Sequence, residues 1–216
     1  MQYLTPKMAK EAITSMKTFH EDVVAVYNKH NMDLLDNLGR RNIVMSQSQE
    51  KFFAQVLSKF YEGVKEDGKT GQPDIVIEAL DKELECKLTS RHKSGAISFQ
   101  SDFETLQAKG SLDYLYVIAD HDFKKFAVLH FLGLTVEDFR PLSSGARGKV
   151  SMFKHKGMKK CNVLLGEVNS LNSRHIKRLN QKLEEKNPPY ILKKIQKSLE
   201  YWKSTDEKYE ISLEEV

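Results

Sequence analysis

Pro73-Asp74-Ile75-Val76-Ile77-Glu78-Ala79-Leu80-Asp81-Lys82-Glu83-Leu84-Glu85-Cys86-Lys87-Leu88 alternates apolar and charged residues on either side of a short interruption. That period of two, with the β-branched run Ile75-Val76-Ile77, predicts strands over 74–80 and 82–88 joined as a hairpin across Leu80-Asp81-Lys82. In the second strand Leu84, Cys86 and Leu88 point to one face, and Glu83, Glu85 and Lys87 to the other. Directly opposed residues of an antiparallel pair share a face, and their numbers sum to a constant. A turn of even length makes that sum odd and gathers Asp74, Glu85 and Lys87 on one face. An odd-length turn separates them. An exposed hairpin with surface charges has the same alternation.

Outward from the hairpin, residues 97–109 predict a helix, Leu112–Ala119 and residues 126–132 two apolar strands, and 162–168 one more strand. Upstream, Ala9, Ala12, Ile13, Met16, Phe19, Val23 and Val26 recur at helical spacing, which predicts an amphipathic helix over 8–30. A shorter helix over 32–38 is expected to end at Gly39. Ser46-Gln47-Ser48-Gln49 then reads as the capping-box start of a third helix carrying Phe53, Val56, Leu57 and Phe60. Downstream, 133–160 is loop-rich, 173–186 a charged helix, and Pro188-Pro189 an interruption; 190–203 is a helix with Ile191, Ile195, Leu199 and Trp202 on one face. The acidic end, 205–216, is expected to be loosely ordered. The simplest assembly is an α/β (α+β mixed) fold, a central mixed β-sheet flanked by helices.

A chain of 216 residues with 40% hydrophobic content buries a core of single-domain size. One domain over 1–216 is therefore expected, with a helical N-terminal part (1–45), a core holding the hairpin (46–132), a basic part (133–203) and an acidic tail (204–216). The net charge of +4 is unevenly placed: residues 141–203 hold fifteen Lys/Arg against four Asp/Glu, a net of +11, while 1–140 carry −3 and 204–216 carry −4. Basicity so placed suits a face turned to a polyanion. Two cysteines, Cys86 and Cys161, make neither a disulfide framework nor a closed zinc site, which needs about four Cys/His ligands at tight spacing. Residues 1–6 show no apolar signal core, and runs such as Val23-Val24-Ala25-Val26-Tyr27 are far too short to span a bilayer. The expectation is a cytoplasmic chain with no membrane partner. None of the seven histidines belongs to an HExxH pair, and neither a Gly-Lys-Ser phosphate loop nor a dinucleotide fingerprint occurs, which argues against nucleotide-driven motors and redox enzymes.

If Asp74 and Glu85 converge, two carboxylates hold a hard divalent cation, with the Cys86 carbonyl and waters completing an octahedron. Magnesium is the expected occupant and manganese a substitute. Lys87 would stand beside the reacting water, as an ammonium that orients it and stabilises developing charge or, deprotonated, as a base.

Pro73-Asp74, ten intervening residues, then Glu85-Cys86-Lys87 resembles the PD-(D/E)xK nuclease superfamily, with the resemblance covering roughly residues 46–120. It implies a restriction-endonuclease-like fold in which a helix precedes the metal-binding hairpin and a helix and another strand follow it. It implies a metal-dependent endonuclease leaving 5′-phosphate and 3′-hydroxyl ends, with catalytic Asp74, Glu85 and Lys87 and metal contacts from Asp74, Glu85 and Cys86. Many members carry a further acid on the preceding helix; Glu50 is the position that maps to it, with Gln49 competing. Size and the absence of motor motifs resemble a type II restriction endonuclease acting as a homodimer, with helices 8–30 and 190–203 at the interface or simply in the core. Repair, recombination and transposition nucleases share the same residues, and a noncatalytic DNA-binding module is the reading from another class.

Double-stranded DNA is the expected partner. The stretch from Ser143 to Lys160 holds Arg147, Lys149, Lys154, Lys156, Lys159 and Lys160 with no acid, and six such phosphate contacts would give a slope of log K against log salt of about −5. Arg91, His92 and Lys93 follow the second strand directly and are placed to meet phosphates beside the scissile bond. The helix with Arg174 and Lys177 is a further candidate, or a charged solvent face.

Overall fold

Helix α1 (Pro6–Lys29) starts where the Thr5 side chain accepts the N–H of Met8, with Pro6 at its first position; a proline there needs no N–H partner. In this computed structural model, residues 2–66, 72–91, 97–142, 148–205 and 207–216 are described. The chain divides into two compact units, residues 1–167 with 212–216, and residues 168–211. The basic stretch 133–203, expected to act as one part, is therefore shared between the two.

In the first unit α1 is followed by α2 (Leu38–Leu57), β1 (Val64–Glu66), β2 (Ile75–Ile77), β3 (Lys82–Ser90), β4 (Gln100–Asp102), α3 (Phe103–Lys109), β5 (Leu112–Ala119) and β6 (Lys125–Leu134). Then come β7 (Lys149–Ser151), the single-turn α4 (Lys154–Gly157) and β8 (Cys161–Leu165). The main sheet runs β1-β2-β3-β5-β6, with β8 also paired to β6. Its β3–β5 pair is parallel and its other pairs are antiparallel. The expected central mixed sheet flanked by helices is present.

β5 is buried at every position. Leu115, Val117 and Ala119 join the core made with α1 and α2, while Tyr114 and Tyr116 pack on the opposite face with Phe99 and Phe131. A strand covered on both faces reads as an unbroken apolar run, and that is how it stands in the sequence. Met8, Ala9, Ala12, Ile13 and Met16 of α1 are buried in that core; each large side chain so buried contributes roughly 1.5–3 kcal/mol.

Four boundaries differ from the sequence expectation. The two helices read over 32–38 and from Ser46 are one, α2, capped at Asn37, whose side chain accepts the N–H of Arg40. Gly39 lies in its first turn, because nothing between 40 and 57 breaks a helix once Asn37 has started it. The helix read over 97–109 begins only at Phe103, where Asp102 caps it through the N–H of Thr105; the residues before it make β4, paired with β7. The strand read over 162–168 is interrupted at Gly166, with φ of +77°. The acidic tail is not loose: β11 (Glu214–Glu215) extends the sheet beside β6, and the Val216 carbonyl accepts from the Lys17 ammonium.

The second unit consists of α5 (Leu171–Glu184) and α6 (Pro189–Ser204) with the small sheet of β9 (Glu167–Ser170) and β10 (Tyr209–Ser212) at its margin. Trp202 of α6 stacks on His175 of α5 at 4.2 Å between ring centres, and Ile195 is buried. The apolar stripe of α1 is buried as far as Met16, whereas Phe19 and Val26 are exposed. None of the described helices is long and apolar enough to cross a membrane.

Candidate active site

The β2–β3 connection is a single 3-10 turn, Glu78–Leu80, followed by Asp81 in the left-handed region with φ of +50°. Four residues from Glu78 to Asp81 make the turn even, and the register pairs Ile75 with Leu84, Val76 with Glu83 and Ile77 with Lys82. One further step along that register brings Asp74 level with Glu85, on the face that also carries Lys87. Ile75, Ile77 and Leu84 occupy the opposite, fully buried face.

β2 begins only at Ile75, whereas β3, antiparallel to it, runs on to Ser90, so the flank of β3 beyond Glu85 has no partner in β2. A backbone N–H at such an edge needs an acceptor. Asp74 supplies it: its Oδ2 accepts the N–H of Cys86 at 2.7 Å. Cys86 presents backbone here, since its thiol is buried in the core and burial pushes its pKa well above the usual value.

Lys87 donates to Glu85 Oε1 at 2.5 Å, with side chains 33% and 13% exposed respectively. Burial opposes the Lys87 charge, but Glu85 and Asp74 outweigh it and hold the ammonium above its ordinary pKa. Burial and then the Glu85 charge push Asp74 up to about 6. Glu50 on α2 reaches about 7, first through burial and then through Asp74. Glu50 lines one shallow cavity, of about 290 Å³, with Ser46, Asp74, Cys86 and Lys87. Its neighbour Gln49 is fully buried and spends its amide on the Leu115 carbonyl at 2.9 Å, fastening α2 to the sheet.

Three features bear on a cation. Asp74 and Glu50, whose pKa values are raised by burial and then by neighbouring carboxylates, mark a place where a positive ion is favoured. Glu85 Oε2 is buried with no hydrogen-bond partner among the described residues, an atom of the kind that a ligand satisfies. Against these, no group of three or more Asp, Glu, His or Cys side chains among the described residues is arranged to hold a metal ion. Magnesium keeps several waters and commonly takes only one or two protein carboxylates, so Asp74 and Glu85 fit it as an open, two-carboxylate site.

The predicted DNA contacts fall into several groups. Lys149 on β7 is exposed and lines a cavity of about 240 Å³ shared with Lys87, Thr89, Gln100 and Tyr116. Arg91 continues β3, its backbone N–H bonded to the Ala119 carbonyl. Lys159 and Lys177 are exposed. Other cations are engaged internally: Lys160 with Asp138 at 2.6 Å, Lys156 with the Glu137 carbonyl at 2.8 Å, and Arg174 with Glu210 at 3.0 Å. Lys154 is half-buried, and burial lowers its pKa. His92, Lys93 and Arg147 lie outside the described residues.

Sequence reasoning did not single out Arg41. This α2 residue is fully buried, and its guanidinium donates to the carbonyls of Asp120 and His121 at 2.8 and 2.5 Å and to Ser90 Oγ at 2.7 Å. It ties α2 to the ends of β3 and β5. Nothing in an exposed-looking Arg40-Arg41 pair distinguishes it.

Comparison of the chain with protein-family models, curated proteins and solved structures finds no match.

Proposed function

We propose that this chain is a magnesium-dependent endonuclease of the PD-(D/E)xK type that hydrolyses phosphodiester bonds of double-stranded DNA. The observation that carries the reading is that Asp74, Glu85 and Lys87 share one face at the opened edge of a mixed sheet, with Glu50 lining a cavity together with Asp74 and Lys87. The order α2, β1, β2, β3, α3, β5 supports it, since it is the helix–hairpin–helix–strand order that the motif implies.

In this reading Asp74 and Glu85 would hold the divalent ion, with the Cys86 backbone beside them. The bound ion supplies Lewis acidity at a phosphate oxygen and lowers the pKa of a water. Lys87, kept protonated by Glu85 and Asp74, acts as a cation: it orients the attacking water and stabilises charge developing on the phosphate. Glu50, with its pKa near neutrality, exchanges a proton with that water or a second water at working pH. Lys149 and Arg91 receive the flanking phosphates. A type II restriction enzyme, working in the cytoplasm as a homodimer with one site per strand, is the form favoured by size and the absence of motor motifs; a repair, recombination or transposition nuclease uses the same site.

Plasmid and phage DNA incubated with and without magnesium test the proposal. Discrete fragments with magnesium and none with EDTA are expected. A smear indicates a nuclease without sequence preference. DNA bound but uncut at every magnesium or manganese concentration replaces this reading with a noncatalytic binding module.

A further inference from the structure

The unit of residues 168–211 holds none of the proposed catalytic residues, yet its helix α5 has an unusual charge arrangement. α5 turns Asn172 and His175 inward, where Asn172 donates to the Trp202 carbonyl and His175 stacks on the Trp202 ring. The opposite stripe, at the i, i+3, i+4, i+7, i+8 spacing of one helix face, is Arg174, Lys177, Arg178, Gln181 and Lys182, all exposed. No Asp or Glu occurs in α5 before Glu184.

A solvated helix face ordinarily mixes signs, because like charges three or four residues apart repel and an opposite charge there relieves them. Here Arg174–Arg178 and Arg178–Lys182 are like pairs. Among the described residues only Arg174 has an acidic partner, Glu210, and no carboxylate lies within ion-pair distance of Lys177, Arg178 or Lys182. The four cations extend over about 12 Å of helix axis, a length over which duplex DNA presents about seven phosphates.

We propose that this face of α5 is a DNA-anchoring surface that seats on the phosphate backbone of a duplex, making the unit of residues 168–211 a binding module separate from the catalytic one. The inference rests on the nuclease reading only for the choice of DNA as the polyanion. Gln181, at the centre of the stripe, is the neutral side chain placed to donate to a phosphate or sugar oxygen between the cations.

The test is duplex binding by the full chain in EDTA, where cleavage plays no part, over a series of salt concentrations. A Lys177→Ala/Arg178→Ala/Lys182→Ala variant is expected to bind more weakly, with a slope of log K against log salt shallower by about 2.7, three phosphate contacts' worth. Lys177→Arg/Arg178→Lys/Lys182→Arg, which keeps the charge, is expected to retain the slope. An unchanged slope in the alanine variant, with its circular dichroism intact, overturns the proposal. It is also overturned if single-stranded DNA outcompetes duplex and a Tyr190→Ser/Tyr201→Ser variant is the one that loses binding, because the contact is then base stacking on α6, where both tyrosines are exposed. A chain that binds with the expected slopes and cuts nothing sinks the nuclease reading and leaves this one standing.

Discussion

The carboxylate of Asp74 accepts the backbone N–H of Cys86 at 2.7 Å, so the acid before β2 is fastened to the strand that carries Glu85 and Lys87. The bond gives Asp74 two separable jobs, a structural acceptor and a metal ligand. Asp74→Asn keeps a carbonyl oxygen for Cys86 while removing the charge; Asp74→Ala removes both and leaves an edge N–H unsatisfied, at about 1–3 kcal/mol. Asp74→Asn is therefore expected to melt close to the parent while losing magnesium-dependent cleavage. Asp74→Ala should lose cleavage and also unfold at lower denaturant. Equal stability of the two variants would deny the bond its structural part.

Lys87 is the cation that holds Glu85, whose side chain is only 13% exposed. Removing one partner of such a pair leaves an uncompensated charge, costing roughly 3 kcal/mol if the site were wholly buried and less at this exposure. Lys87→Ala is expected to lower kcat by at least about 100-fold while DNA binding in EDTA persists. The same variant should regain more stability from magnesium than the parent does, because the ion replaces the lost counter-charge. Thermal melts with and without magnesium measure that difference, and equal magnesium gains in the two proteins would place the ion away from Glu85.

The hairpin was legible because its chemistry is periodic: alternation fixed the faces, and the only open question was the parity of a turn. The structure answers it with the four residues Glu78 to Asp81. β5 was legible to the residue, Leu112–Ala119, because a strand covered on both faces is continuously apolar and is cut off by Gly110-Ser111 and Asp120. The single helix α2 was not. Gly39 and the Ser46–Gln49 stretch are good local stop and start signals, and Asn37 is a better start that lies upstream of both. The tail was hidden for a different reason: β11 is made of two glutamates, and only its pairing with Phe126 and Lys125 makes it a strand. At the site, the choice between Glu50 and Gln49 turned on which side chain the sheet claims, and the Leu115 carbonyl that claims Gln49 is 66 positions away in the chain.

Proton linkage offers a further check. Glu50 and Asp74 hold their protons to about 7 and about 6, above the ordinary carboxylate range near 4. The folded chain therefore binds more protons than the unfolded chain between about pH 4 and pH 7, and these two groups lower stability as pH rises through that window. His20 and His130, both pushed down to about 4 by burial, act in the opposite sense, adding stability as pH rises from about 4 to 6.5. The informative quantity is accordingly the difference between the parent and Glu50→Gln/Asp74→Asn. Without metal the double variant should gain on the parent from pH 5 to 8; a gap that stays constant would mean neither acid has a raised pKa. Magnesium should stabilise the parent more at pH 8 than at pH 5, since Asp74, one of the two proposed ligands, must lose its proton before it can bind the ion.

Arg41 sets the position of α2, and with it Glu50, against the sheet. Its guanidinium donates to the Asp120 and His121 carbonyls, to Ser90 Oγ and to Asn42 Oδ1, and it lies 5.0 Å from the centre of the Phe123 ring. The partners diverge from one planar group, which a lysine ammonium cannot reproduce with the same geometry. Both Arg41→Met and Arg41→Lys should be destabilised, Arg41→Met by roughly 3 kcal/mol because acceptors on Asp120, His121 and Ser90, with Asn42 beside them, lose a charged donor. For a chain of this size that is a fall in Tm of about 6–12 °C. Because Glu50 follows Arg41 by nine residues on the same helix, Arg41→Lys should also lower kcat at a temperature where the variant is fully folded, with KM for DNA little changed. Full kcat in a folded Arg41→Lys variant would separate the seating of α2 from the chemistry at Asp74 and Glu85.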